Sequence, residues 1–326
     1  NGMPCLLINK INEENLTEID IPFFNYTIPE IYLEDPAPKC CFYGKCEICF
    51  DETYSNKNYP IIFLHGHSVN KHISADYSLD IFGKIKSRLM QEGYIDAGAV
   101  VLSQSNEQKG LWGKVNASIE VTGSYFFDVS KSETGEEIII SSKEEGIDTY
   151  SIRLDELIKI VKARTGKDKV IIISHSMGGL VTRRYIQVFG EKDLDKIILI
   201  TAPNHGIEGN IKNYCSLIGS KKECNDMDKY GLLINRLDNA PNLTIPVYNL
   251  IGIGCNMDGE NGDGIVKESS QYLDYALNEY VEGYCDELRL DFLHKAILDP
   301  ERYPQAYEFI REALKGNSTK EILQEE

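Results

Sequence analysis

No apolar run in this 326-residue chain approaches the roughly 18 residues that a membrane-spanning helix needs. The longest core-like runs, such as Val170-Ile171-Ile172-Ile173, are strand-sized, so no transmembrane helix is expected. Basic charge is also in deficit. Lys and Arg number 34 against 51 Asp and Glu, a net charge of −17. A nucleic-acid binder usually carries a basic face, so nucleic acid is excluded as a partner, as is electrostatic docking on anionic lipid. Internal repeats and low-complexity tracts are absent. Apolar residues at 42% and charged residues at 26% are ordinary, which excludes collagen-like, disordered and coiled-coil chains. There is one tryptophan, Trp112, and only six histidines: His65, His67, His72, His175, His205 and His294. The sequence begins Asn1-Gly2-Met3, as expected of a trimmed chain, with no signal peptide in view. A monomer is expected.

Cysteine, by contrast, is plentiful. Nine cysteines fall into three groups: Cys5 with Cys40, Cys41, Cys46 and Cys49; Cys215 with Cys224; and Cys255 with Cys285. An odd count leaves at least one thiol free or intermolecular. Asn-x-Ser/Thr sequons start at Asn15, Asn25, Asn116, Asn242 and Asn317. Together these favour an extracellular or cell-surface location. The spacing Cys41-x4-Cys46-x2-Cys49 matches plant-type ferredoxins, but the next cysteine is Cys215, far down the chain. Cys40 could complete a zinc set, at the cost of strain from adjacent ligands. Disulfides are therefore expected here ahead of zinc, and zinc ahead of iron–sulfur.

Residues 1–55 read as a cysteine-rich N-terminal extension, rich in proline (Pro4, Pro22, Pro29, Pro36, Pro38), that packs on a main domain spanning 56–326. In that domain strands and helices alternate. Strands are expected at Ile61–Leu64, Gly98–Leu102, Lys169–Ile173, Lys196–Thr201 and Ile245–Ile251. Helices are expected at Leu79–Gln91, around Leu154, Leu157, Ile158 and Val161 with Gly166 as the stop, at Leu180–Val188 and at Pro304–Lys315. A region at about 104–147, with strand-like pieces at Ser118–Val129 and Glu137–Ser141, reads as a β-rich insertion or hairpin. The alternation predicts an α/β fold: a mostly parallel central sheet with helices on both faces.

The chemistry is concentrated in Ser174-His175-Ser176-Met177-Gly178-Gly179, where a buried strand runs straight into a helix. This is a nucleophile elbow with Ser174 in place of the usual first glycine. The central serine must sit on a strained turn so that its hydroxyl stands above the sheet edge, and its neighbours two before and two after must be small. Acyl transfer also needs two N–H donors for an oxyanion. Met177 N–H is one, and the turn His65-Gly66-His67 after an early strand supplies the other, with His67 N–H the best candidate. A zinc role for His65 and His67 lacks an evident third ligand. The base follows by elimination, since only His205 and His294 lie after Ser176. His205 directly follows a strand and leaves no room for an intervening acid loop, so His294 is the base. The acid belongs in the loop Cys255–Val266, which holds Asp258, Glu260 and Asp263. Asp263 is preferred because Ile265-Val266 can pin it, with Asp258 second. The same loop loosely resembles a calcium loop without its distal glutamate, so a structural calcium ion is the one cofactor left open.

These residues resemble the α/β-hydrolase lipases, specifically the small bacterial and archaeal triacylglycerol lipase/esterase group, over about residues 58–315. The resemblance rests on His65-Gly66-His67, Ser174–Gly179, Thr201–Gly206, Gly262–Val266 and Phe292-Leu293-His294. It implies a Ser176–Asp263–His294 triad, a His67/Met177 oxyanion hole, an ester or lipid substrate and no organic cofactor. Cys224–Leu237 looks like the lid region of secreted lipases. A lid-like segment is accordingly expected at about 207–242, with disulfides Cys215–Cys224 inside it and Cys255–Cys285 flanking the acid and base loops. The insertion and the N-terminal extension depart from a minimal lipase. An acyltransferase or thioesterase on the same triad, a non-catalytic surface module and a metal protein centred on Cys40–Cys49 are the alternatives.

Overall fold

Residues buried on both faces of a parallel sheet need no polar alternation, and three apolar runs form its centre: β3 (Ile61–Leu64), β8 (Val170–His175) and β9 (Leu194–Ile200). The computed structural model describes residues 39–42, 45–48, 58–67, 78–102, 109–115, 117–131, 137–218, 220–286 and 291–316. All lie in the unit Pro38–Glu326. Most of the 1–55 extension thus lies outside the described residues. Its described part is a hairpin of β1 (Lys39–Phe42) and β2 (Lys45–Ile48), in which Cys41 faces Cys46 and forms a disulfide with it. That bond corrects the zinc and iron–sulfur readings of this spacing, because neither sulfur is left as a thiolate ligand.

Seven strands form one sheet in which each strand runs parallel to its neighbours. From β3 outward on one side come β5 (Ile119–Gly123) and β4 (Ile95–Val100). On the other come β8, β9, β10 (Val247–Ile253) and β13 (Leu277–Glu282). Successive side chains on a strand point to opposite faces, and the core divides accordingly. Ile62, Leu64, Ile172, Ile197 and Leu199 pack with Leu154, Leu157, Ile158 and Val161 of α2 (Ile147–Thr165) and with Leu180 of α3 (Met177–Phe189). Ile61, Phe63, Ile171, Ile173, Ile198 and Ile200 pack instead with Ile85 and Leu89 of α1 (Gly83–Gln91) and with Ile310 of α9 (Pro304–Lys315). Helices therefore cover both faces, as the alternation predicts. Gly166 ends α2 at φ 70°, a left-handed stop that glycine adopts freely.

One strand differs from expectation. Ile119–Gly123 is not part of an insertion but a central strand between β3 and β4. Only β6 (Phe127–Lys131) and β7 (Glu137–Ser141) form the separate hairpin. The sequence Ile-Glu-Val-Thr-Gly alternates like a half-exposed strand, yet Glu120 and Thr122 are buried, beneath Lys86 of α1. Lys86 meets Asp96 at 2.7 Å and the Thr122 hydroxyl at 3.0 Å. Glu120, 0% exposed, has neither carboxylate oxygen hydrogen-bonded among the described residues. Burial pushes its pKa up to about 8, so at neutral pH the folded chain carries it mostly protonated. The unfolded chain ionises it near 4.5. Stability is therefore fully present below about pH 4.5 and is drained as pH rises towards about 8, at up to about 1.4 kcal/mol per pH unit. Glu120→Gln is expected to remove that loss. Urea unfolding at pH 5 and pH 8 checks it, the variant's advantage growing at pH 8.

Candidate active site

Ligands in open parallel sheets bind outside the carboxyl ends of the strands where the connections diverge. Here that place is between β3, whose connection leads to β4, and β8, whose connection leads to β9. The loops leaving these two strands carry His65–His67 and Ser176. Ser176 sits at φ 55°, a left-handed conformation for a residue with a side chain. Its N–H donates to Ile200 O at 2.9 Å, tying the turn to β9.

The glycines explain why the turn is tight. A Cβ at Gly66 would lie 2.7 Å from Ser176 Cβ. One at Gly178 would lie 2.5 Å from the His65 carbonyl oxygen, and one at Gly179 would lie 2.5 Å from Ala202 Cβ. The small residues thus admit neighbouring loops against α3, not only its own strand. Gly178→Ala is expected to force α3 off the β3 loop and to cost about 1–3 kcal/mol in urea unfolding. Ser174 is buried with its hydroxyl unpartnered among the described residues.

The structure brings Ser176, His294 and Asp263 together. His294, in α8 (Leu293–Ala296), accepts the Ser176 hydroxyl at Nε2 across 2.9 Å. Its Nδ1–H donates to Asp263 Oδ2 at 2.7 Å. Asp263 is 0% exposed, and its Oδ1 accepts the Ile265 and Val266 N–H groups at 2.8 and 2.7 Å. The Ile265-Val266 pair thus holds the carboxylate through its backbone, where the sequence suggested its side chains. His294 N–H closes the link by donating to Asp263 O at 3.0 Å.

Asp258 stands elsewhere. It is exposed, at the tip of the hairpin of β11 (Cys255–Met257) and β12 (Glu260–Gly262), and meets Asn210 at 3.3 Å. Glu260 accepts the Ser269 N–H at 3.1 Å. With Asp263 turned to His294, these three carboxylates serve separate partners, and among the described residues they do not gather into a ligand set. This corrects the calcium-loop reading. His65 and His67 diverge as well. His65 bonds Gly66 O and the Ser124 hydroxyl, at 2.9 and 3.0 Å, while His67 Nδ1 pairs with Glu223. The zinc reading of that pair fails on this divergence. His67 does approach Cys215 and Cys224, but their sulfurs are bonded to each other. His205 meets Asp238 at 2.9 Å and Tyr272 O at 3.0 Å, away from Ser176.

Several supporting groups carry no local sequence signal. His175, between the two serines of the elbow, donates Nε2–H to His294 O at 2.7 Å. Burial holds it neutral, its pKa down at about 3. His65 is likewise neutral, its pKa lowered by burial to about 4. Its carbonyl accepts the Tyr125 hydroxyl at 2.5 Å. Buried Gln271, at the end of α7 (Glu268–Gln271), accepts the Gly252 N–H at 2.9 Å and donates to Val266 O at 2.9 Å, so it fastens the Asp263 loop to β10. The disulfides Cys215–Cys224 and Cys255–Cys285 are both formed. Cys285 presses on the same loop, since a Cβ at Gly264 would lie 2.5 Å from its sulfur. The lid-like stretch 207–242 holds three helices among the described residues, α4 (Gly209–Ile218), α5 (Lys221–Asp226) and α6 (Leu232–Asp238). No helix of the described residues is long and apolar enough to cross a membrane.

Among solved structures, the lin2722 gene product of Listeria innocua is similar at 17% identity and a TM-score of 0.46, over 80% of this chain and 96% of that one. The mature lipase BlEst2 of Bacillus licheniformis is similar at 13% identity and 0.44, over 79% and 96%. The esterase EaEST of Exiguobacterium antarcticum is similar at 15% and 0.45, over 79% and 92%. No curated protein matches the chain in sequence. A family profile does match, over residues 100–288, more than half of the length. By that match, and with a parallel sheet covered on both faces, the chain belongs to the α/β hydrolases of unknown function designated DUF915.

Proposed function

We propose that this α/β hydrolase cleaves carboxylic esters through an acyl-enzyme on Ser176. The observation that carries the reading is the continuous hydrogen-bond chain from Ser176 to His294 to Asp263, 2.9 and 2.7 Å long, on a serine strained at φ 55°. His294 takes the Ser176 proton as Oγ bonds to the ester carbonyl carbon. The carbonyl oxygen becomes an oxyanion, received by the Met177 and His67 N–H groups. Neither N–H donates to another group among the described residues, which supports that role. The intermediate collapses, the C–O bond to the alcohol breaks, and His294 returns the proton to the departing alkoxide. Water, deprotonated by His294, then attacks the acyl carbon, and the acid leaves as Ser176 regains its proton. Asp263 holds the imidazole in the tautomer that accepts at Nε2 and stabilises the imidazolium. Every step uses groups of this chain, and no organic cofactor is required.

The substrate is an ester or lipid. The net charge of −17 argues against nucleic acid as a partner. Disulfides and sequons support a location outside the cell or at its surface. Hydrolysis of p-nitrophenyl esters from acetate to palmitate, by wild type and Ser176→Ala side by side, tests the reading. Serine-dependent hydrolysis supports it, and the chain-length profile separates esterase from lipase. Hydrolysis that survives Ser176→Ala, or no hydrolysis of any ester by wild type, overturns it.

A further inference from the structure

One buried carboxylate has no part in the steps above. Glu223 lies on α5, beside Cys224, and is 1% exposed. Its two oxygens are divided between distant partners. Oε1 accepts the Tyr150 hydroxyl at 2.6 Å, and Oε2 pairs with Nδ1 of His67, 156 residues away in sequence. The other imidazole nitrogen, His67 Nε2, is buried with no hydrogen-bond partner among the described residues. Glu223 is therefore what fixes the His67 ring. Glu223 is itself held. The Cys215–Cys224 disulfide ties α5 to α4, and Asp226 accepts the Ile147 N–H at 2.7 Å at the start of α2.

The residue it fixes matters because of its backbone. His67 follows Gly66, which packs against Ser176, and its N–H is one of the two oxyanion donors in the proposed reaction. A displacement of about 1 Å at such a group costs on the order of 100-fold in rate. We infer that Glu223 is a positioning residue for ester hydrolysis: from the helical segment over the site it grips the His67 imidazole and so aims the His67 N–H at the developing oxyanion. This inference rests on the ester-hydrolase reading. It assigns to α5 a part in transition-state binding rather than in substrate binding alone.

The test compares Glu223→Ala, Glu223→Gln, His67→Ala and the double variant Glu223→Ala/His67→Ala with wild type, with Ser176→Ala as the control. Glu223→Ala is expected to lower kcat by about 10- to 100-fold with KM within about 2-fold, because the donor serves the transition state. Affinity for an alkyl boronic acid, which forms a tetrahedral adduct with serine, should fall by a similar factor. Glu223→Gln keeps an oxygen acceptor for His67 and should stay within about 5-fold of wild type. His67→Ala keeps the backbone N–H but loses the tether, so it should match Glu223→Ala, and the double variant should be no worse than either. An unchanged kcat in Glu223→Ala, a loss confined to KM, or additive losses in the double variant would overturn the inference. Should Glu223→Ala not fold, Glu223→Gln and His67→Ala still decide: kcat unchanged in His67→Ala, or Glu223→Gln falling 100-fold, sinks it. Hydrolysis that is independent of Ser176 removes the underlying reading instead, and this inference with it.

Discussion

Ser176→Ala is expected to lower kcat for ester hydrolysis by about 10⁴- to 10⁶-fold, with His294→Ala about as damaging and the pair together no worse. The reason is the single path of the proton. Ser176 Oγ has its hydrogen bond to His294 Nε2 at 2.9 Å, and without either partner no nucleophile forms. In the proposed mechanism, what rate remains comes from the Met177 and His67 N–H groups and from substrate binding. Kinetics on p-nitrophenyl butyrate with the two single variants and the double variant check this. Losses that multiply in the double variant would mean that the two residues act separately, against a shared proton path.

Asp263→Asn is expected to cost about 10⁴-fold in kcat with little change in KM. The environment decides how the new amide sits. The two backbone donors, Ile265 and Val266 N–H, at 2.8 and 2.7 Å, demand an oxygen at the Oδ1 position. The amide nitrogen must then face His294 Nδ1, where it donates instead of accepting. His294 is left with its proton on Nε2, facing Ser176, and can no longer take the serine proton. Asp258→Asn, at an exposed turn where Asn210 at 3.3 Å is its one side-chain partner among the described residues, should stay within about 2-fold. Assaying the two variants together distinguishes the carboxylates of one loop. Equal losses in both would refute the assignment.

Much of the fold follows from local signals. The short, β-branched apolar runs at 61–64, 170–173 and 197–200 point to strands covered on both sides, and Gly166 marks the end of α2 where it was expected. Where polar residues are buried in a strand, local pattern misleads. Glu120 and Thr122 made β5 look half-exposed because the Lys86 and Asp96 side chains that cover or neighbour them come from elsewhere in the chain. The edge strand Leu277–Glu282 gave no signal for a related reason. Val281 is its one buried residue, so no buried face shows in its pattern, and pairing with β10, not composition, makes it a strand.

The candidate site divides along the same line. The sequence by itself determined the elbow, because the strand, the serine, the glycines and the helix are contiguous and their order reflects backbone geometry. It also singled out His294 as the candidate base, because only two histidines follow Ser176. The sequence preferred Asp263 with Asp258 second, and only the tertiary structure showed which carboxylate meets His294, since one loop carries both and the contacts that hold Asp263 act through space. The tertiary structure alone revealed His175 on His294, Gln271 beneath the acid loop and Glu223 on His67. Such contacts join residues 5 to 156 positions apart. They depend on where helices and loops meet above the sheet, and local periodicity carries no information about that.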